Sequence, residues 1–195
     1  MKTARVALVL LLCSPLTARA EEGADTGPRR PPPLSGPSNV EASSRTGALI
    51  NGQVFIGERA PDFELDGSRG KPVKLSSMRG DWLLLVFADR KEDLLPMQQC
   101  WDDLRPLGVQ VLGVCNEKAR SLETFSAKNP LPYALLADVT GDIASLYGLF
   151  DRAHSNTLPG FVVLDRDGIV RMAVLGQQLP VGEITRLARF AVTGS

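Results

Sequence analysis

The chain is poor in the residues on which catalysis and metal binding usually draw. Its 195 residues hold three cysteines and one histidine. Cys13 lies in an N-terminal apolar run, so the body of the chain keeps only Cys100 and Cys115. His154 has no second histidine to share a metal with, which makes it a weak metal candidate and favours a solvated loop residue. No metal and no other cofactor is implied. Excess charge of one sign is also missing, since Lys+Arg and Asp+Glu both number 22. Without a basic bias, nucleic-acid binding is not expected. The longest apolar run, Val6 to Cys13, is far short of the roughly 20 residues a membrane span requires. There is no internal repeat, no nucleophile–base set and no glycine loop for phosphate opening a helix. The acid pairs do not make a hydrolase site. Asp102 and Asp103 diverge by about 100° on a helix, and Asp165 and Asp167 sit in a turn where local hydrogen bonding explains them.

What remains is ordinary globular material, 44% hydrophobic and 23% charged, enough for one domain of about 150 residues with peripheral segments. Lys2 and Arg5 precede the apolar run, and Ala18-Arg19-Ala20 follows it. This is the pattern of a secretory signal peptide over residues 1–20, cleaved after Ala20. Removing it turns the charge balance mildly negative, leaves no membrane span, and predicts a periplasmic or secreted protein in which disulfides can persist. Residues 21–47 are rich in Pro, Gly and Ser with no apolar period, so they read as a disordered linker. RRPPPLSGP within it is a spacer before it is a groove ligand.

The domain is expected over residues 48–195. Phe63–Leu65 and Pro72–Leu75 alternate around a turn-rich link and predict a small hairpin. Trp82–Phe87 is apolar throughout, as a strand covered on both faces should be. Glu92–Arg105 predicts a helix through Leu94, Met97, Trp101 and Leu104. A strand over Val109–Val114, a helix over Glu117–Lys128 and a short strand over Tyr133–Ala137 follow. Thr140 is placed to cap a helix carrying Ile143, Leu146 and Tyr147. Phe161–Leu164 and Ile169–Val174 flank Asp165-Arg-Asp-Gly168, a hairpin turn. A last helix carries Ile184, Leu187 and Ala188. This order predicts an α/β fold, a mixed central sheet flanked by helices on both faces with an N-terminal hairpin extension.

Gly57-x-x-Ala-Pro-Asp-Phe63, with the rest of Ile56–Ala88 and the later ALLADVTGDIASLYGL and LPGFVVLDRDGIVR, resembles the redoxins. These are the AhpC/TSA (peroxiredoxin) and TlpA-like branches of the thioredoxin fold, and the likeness runs from Ile56 to Ala191. It implies a thioredoxin-like fold and an oxidoreductase ancestry. Peroxiredoxins resemble one another in a Pro-x-x-x-Thr/Ser-x-x-Cys run after the strand that ends at Phe87. Aligned from there without gaps, those positions hold Asp89, Asp93 and Pro96. The arginine that supports the thiolate corresponds to Leu158. The Cys-x-x-Cys of thioredoxins corresponds to Glu92 and Leu95. Pro159 matches the proline, often cis, that precedes a sheet strand in thioredoxins. Copper-chaperone redoxins place a metal histidine near His154, but their thiolate ligands come from the loop without cysteine.

The resemblance therefore implies a degenerate site along Asp89, Glu92, Asp93, Pro96, Leu158 and Pro159. A non-catalytic role is the favoured reading, with an unknown protein or small molecule as partner at this edge. A thiol oxidoreductase or peroxidase acting through Cys100 or Cys115 is the alternative. Asp89, Glu92 and Asp93 suit a helix start but would raise the pKa of a nearby thiol. Cys100 lies about 60° from Met97 on the helical wheel and about 10 Å along the predicted helix, as a small buried hydrophobe would; a disulfide and a redox role remain open. Cys115, at the end of its strand, is expected to be the more exposed thiol.

Overall fold

The structure is a computed structural model, and residues 54–194 are described. The signal peptide, the linker and the first residues of the expected domain lie outside the described residues. A short hairpin, β1 (Glu64–Asp66) and β2 (Pro72–Lys74), precedes the sheet, as the alternation predicts. The sheet contains β3 (Trp82–Ala88), β4 (Val109–Cys115) and β5 (Ala134–Ala137). Between β3 and β4 lies α1 (Met97–Leu104), and between β4 and β5 lies α2 (Ala119–Lys128). Then come α3 (Asp142–Leu146) and a small hairpin of β6 (Phe150–Asp151) and β7 (Asn156–Thr157), which the sequence pattern did not predict. β8 (Gly160–Leu164), β9 (Val170–Leu175) and α4 (Val181–Thr193) complete the chain.

The strand order is β5-β4-β3-β8-β9. β3, β4 and β5 run parallel, while β8 returns antiparallel to β3 and β9 antiparallel to β8. This mixed sheet is covered on both faces, and the period of two sorts its side chains cleanly. Leu84, Val86 and Ala88 of β3 share one apolar layer with Met97, Cys100 and Leu104 of α1, Leu122 of α2, and Ile184 and Ala188 of α4. Leu83, Leu85 and Phe87 share the other with Phe63, Leu75, Ala144 and Tyr147. Each large apolar side chain so buried stabilises the fold by about 1.5–3 kcal/mol. Among the described residues no helix is long and apolar enough to cross a membrane.

The Gly57–Phe63 run works as a clamp. Asp62 Oδ1 accepts the N–H of Phe63 at 3.1 Å and that of Ser76 at 2.9 Å. Ala60 N–H donates to the Gly168 carbonyl, and the Tyr147 hydroxyl donates to the Pro61 carbonyl at 3.0 Å. The segment thereby ties the hairpin, the β8–β9 turn and the Tyr147 layer together. In that turn Asp165 Oδ1 accepts the N–H groups of Asp167 and Ile169, both at 2.9 Å. Gly168 adopts φ +77°, a conformation that a Cβ disfavours.

Three local expectations need correction. The helix expected over Glu92–Arg105 is broken: Lys91–Leu94 forms a 3-10 turn, and the α-helix begins only at Met97, with Pro96 at its N-cap. A proline at position 96 has no N–H to donate, and its ring crowds the carbonyl four residues earlier. The helix expected from Glu117 starts instead at Ala119. Thr140 does not cap α3; Asp138, 2% exposed, does so by accepting the N–H groups of Ile143 at 3.2 Å and Ala144 at 2.8 Å.

Candidate functional site

A cleft of about 390 Å³ opens where β3 ends and β8 begins. The paired residues Val86↔Phe161 and Phe87↔Gly160 lie beneath it. Asp89, Asp93, Pro96 and Met97 form one wall, Asn156, Thr157 and Pro159 a second, and Gln177 to Val181 with Ile184 a third.

The structure gathers four of the six expected edge residues here. Asp89 leaves β3 directly, and its Oδ1 accepts the Thr157 N–H at 3.1 Å, joining the first wall to the second. Asp93, Pro96 and Pro159 also line the cleft. Glu92 does not. The 3-10 turn advances about 120° per residue, so Asp93 meets the cleft while Glu92 faces the shallow groove beside α2. Leu158 is also excluded, because neighbouring residues of an extended segment face opposite ways. It packs against the Tyr147 layer, and its N–H donates to the Leu149 carbonyl at 2.7 Å. Among the described residues every peptide bond is trans, the one before Pro159 included.

Electrostatics separate the two ends of the Asp89–Leu94 segment. Lys91 reaches away from the cleft to Glu117, Nζ to Oε1 at 2.7 Å, and lies over the Phe125 ring. The hydrogen bond to Glu117 raises the Lys91 pKa, and the same bond lowers that of Glu117. Leu94 is fully buried, with its side chain against the bare backbone of Gly113 and its carbonyl accepting the Tyr133 hydroxyl at 2.5 Å. Among the described residues, Asp89 and Asp93 are left as the only charged ones lining the cleft.

Both thiols are free and 0% exposed. For Cys100 this agrees with the small buried hydrophobe read from the wheel. Burial raises its pKa, a hydrogen bond with Thr185 opposes that rise, and Asp103 adds to it. Its position along the helix differs from expectation, because the late start of α1 leaves Cys100 in the first turn. Cys115 is the larger correction, since it was expected to be the exposed thiol. The α1–α2–α4 layer covers the strand end, and burial pushes its pKa up to about 12, with Glu117 adding to the rise. His154 is exposed in the β6–β7 loop, Nδ1 2.6 Å from Asp151 Oδ2. Among the described residues no three His, Cys, Asp or Glu side chains converge as metal ligands would.

Sequence reasoning missed Asn156, Thr157, Gln177, Gln178 and the apolar residues from α1 and α4. The one available signal was adjacency to Pro159 and to the last helix.

A mixed five-strand sheet with this order and helices on both faces defines a thioredoxin-like fold. The AhpC/TSA family model matches residues 56–173, and the chain belongs to that family. It is 30% identical over 161 residues to the chloroplastic peroxiredoxin Q of Arabidopsis thaliana, covering 78% of this chain and 74% of the relative. With the chloroplastic peroxiredoxin Q of Oryza sativa subsp. japonica it shares 28% over 188 residues, covering 91% and 85%. Peroxidoxin BcpB from Mycobacterium tuberculosis superposes with a TM-score of 0.65 at 18% identity, over 72% of this chain and 97% of the other. Enterococcus faecalis AhpC does so with 0.64 at 19%, over 73% and 97%. These two structures establish the shared fold.

Proposed function

We propose that this AhpC/TSA-family chain is a binding protein that uses the Asp89–Asp93 cleft, with the thiol chemistry of its ancestry lost. One observation carries the reading: among the described residues no thiol lines the cleft, and Cys100 and Cys115 are wholly buried with raised pKa values. A thiolate is the nucleophile toward peroxide or disulfide, and here it is disfavoured and shielded. The test incubates the full chain with hydrogen peroxide and counts free thiols by mass spectrometry, with Cys100→Ser and Cys115→Ser alongside. Thiols that stay reduced on the time scale of unfolding support the binding reading. Rapid, saturable oxidation at one cysteine refutes it.

That second outcome is the alternative reading, a thiol oxidoreductase or peroxidase. It draws on the relatives' names, which are peroxiredoxins, and on Cys100. Cys100 closes the first turn of α1, the helix end that favours a thiolate, and Met97, which opens that turn, lines the cleft. The same experiment decides between the two, since the alternative requires rapid loss of a free thiol that Cys100→Ser or Cys115→Ser abolishes.

The N-terminal pattern supports a further part of the proposal, export with cleavage after Ala20. Expression in an export-competent host should yield a chain beginning at Glu21. A chain that keeps Met1 refutes it.

A further inference from the structure

We infer that the groove beside α2, of about 620 Å³, docks an acidic peptide segment of a partner protein, extended along the helix with carboxylates about four residues apart. This surface shares no residue with the cleft and goes beyond the function proposed for it. Lys118, Arg120 and Lys128 line the groove, all exposed, and none has an ion-pair partner among the described residues. Arg120, Thr124 and Lys128 recur every four residues and so share one helix face. Glu123, the one acid of α2, lies about 100° from Thr124 and does not line the groove. Lys91, which also lines it, is already answered: its Nζ lies 2.7 Å from Glu117 and 3.6 Å from Glu92. Three cations are left without a counter-charge, in a chain with no basic excess.

Spacing chooses among the possible anions. From Arg120 to Lys128 the helix rises about 12 Å. One phosphate or carboxylate does not bridge that span, whereas an extended chain covers it in about four residues at about 3.3 Å each. Phe125 lines the groove between them along the helix, half-buried, with Lys91 Nζ 5.8 Å from its ring centre. It offers an apolar contact to a side chain placed between the two carboxylates. Anionic membranes are held by clusters of about 4–8 Lys or Arg, and nucleic acid by domains of strongly basic balance. Three unpaired cations beside an aromatic ring suit a short acidic peptide instead.

The probe is the peptide acetyl-Gly-Glu-Ala-Leu-Ala-Glu-Gly-amide, titrated into the full-length protein at low ionic strength and followed by backbone amide NMR. Its controls are the same peptide with both glutamates replaced by glutamine, and a peptide of equal composition with the glutamates adjacent. A single-stranded oligonucleotide and phosphatidylserine vesicles test the other anionic surfaces. Expected are saturable binding with amide shifts centred on residues 117–129, no binding of the glutamine peptide, and severalfold weaker binding of the adjacent-glutamate peptide. Arg120→Gln combined with Lys128→Gln should weaken binding about tenfold, the scale of two exposed ion pairs. Salt at about 0.5 M should weaken it severalfold. Both positions are exposed, so circular dichroism should show the fold unchanged. Arg189→Gln, on the exposed face of α4, should leave binding as it was.

Peptide binding that the double substitution leaves unchanged overturns the inference, as does equal affinity for the glutamine peptide or for the adjacent-glutamate peptide. Oligonucleotide or vesicle binding at this groove tighter than that of the peptide overturns it too. Absence of any shift over residues 117–129 does the same and leaves the cleft reading untouched, since none of these residues lines the cleft.

Discussion

Replacing Thr157 by valine should make the protein more stable. Thr157 is 1% exposed in β7, and its hydroxyl oxygen has no hydrogen-bond partner. Burying a hydroxyl without a partner costs about 1–3 kcal/mol. Valine keeps the β-branched shape, so the strand and the backbone N–H bond to Asp89 survive, and a methyl group replaces the polar atom. Since the fit of the new methyl is not perfect, the expected gain is about 1–2 kcal/mol. For a chain of this size that corresponds to a rise in Tm of roughly 3–6 °C, read by calorimetry or thermal circular dichroism. Thr157→Ser is the internal control. It keeps the hydroxyl and loses the methyl, so it should destabilise by about 1 kcal/mol. A Tm for Thr157→Val at or below that of the parent refutes the reasoning, because it means that the hydroxyl is satisfied in solution.

Asp165 contributes to the acid limb of the stability curve. Burial opposes its ionisation, but the Ile169 N–H, the Arg171 guanidinium and the Asp167 N–H outweigh it and lower the pKa below the usual 3.8. Its contribution is thus present above that value and is lost as pH falls through the lower folded pKa; Asp165→Asn should remove about 2 kcal/mol at neutral pH and flatten this limb in urea titrations. The Cys115 pKa, raised from 9.0 to about 12, predicts about a thousandfold less thiolate than an ordinary cysteine at pH 8. Labelling by a thiol reagent should be negligible in native buffer and rapid in denaturant, and fast native labelling at Cys115 would contradict the burial. Gly113→Ala would place a Cβ 2.8 Å from Leu94 Cδ1 and 2.9 Å from Leu135 Cδ2. It should cost about 1–3 kcal/mol in urea unfolding.

Most of the sheet was legible because its strands obey a period of two inside apolar runs. Leu83–Ala88 divides between the two core layers residue by residue, and the Asp165–Gly168 turn declares itself through Asp and Gly. The segment after β3 was harder. Leu94, Met97 and Leu104 are all buried, as the helical period requires, yet Leu94 arrives from a 3-10 turn, and periodicity does not register the break at Pro96. Cys115 misled for a different reason: a strand tip is open only if nothing covers it, and α1 and α4, which share its apolar layer, come from distant sequence. The cleft was half legible. Asp89, Asp93, Pro96 and Pro159 come from motif positions, whereas Asn156 and Thr157 form a two-residue strand and Gln177 and Gln178 an irregular connection, both too short to show a period.

The seam between β3 and β8 has a consequence for how the molecule is assembled. Leu83 pairs with Leu164, which requires the chain to close a loop of roughly 80 residues. The β8–β9 hairpin, by contrast, closes locally around its Asp-Gly turn and should form early, with the β3–β8 pairing late. The cleft straddles that late seam, so a partly folded chain with β3, β4 and β5 in place does not yet contain it. A ligand of the cleft would therefore recognise only completed molecules. In a cell it would act as a selective stabiliser of the finished fold, protecting it from proteolysis in proportion to ligand concentration.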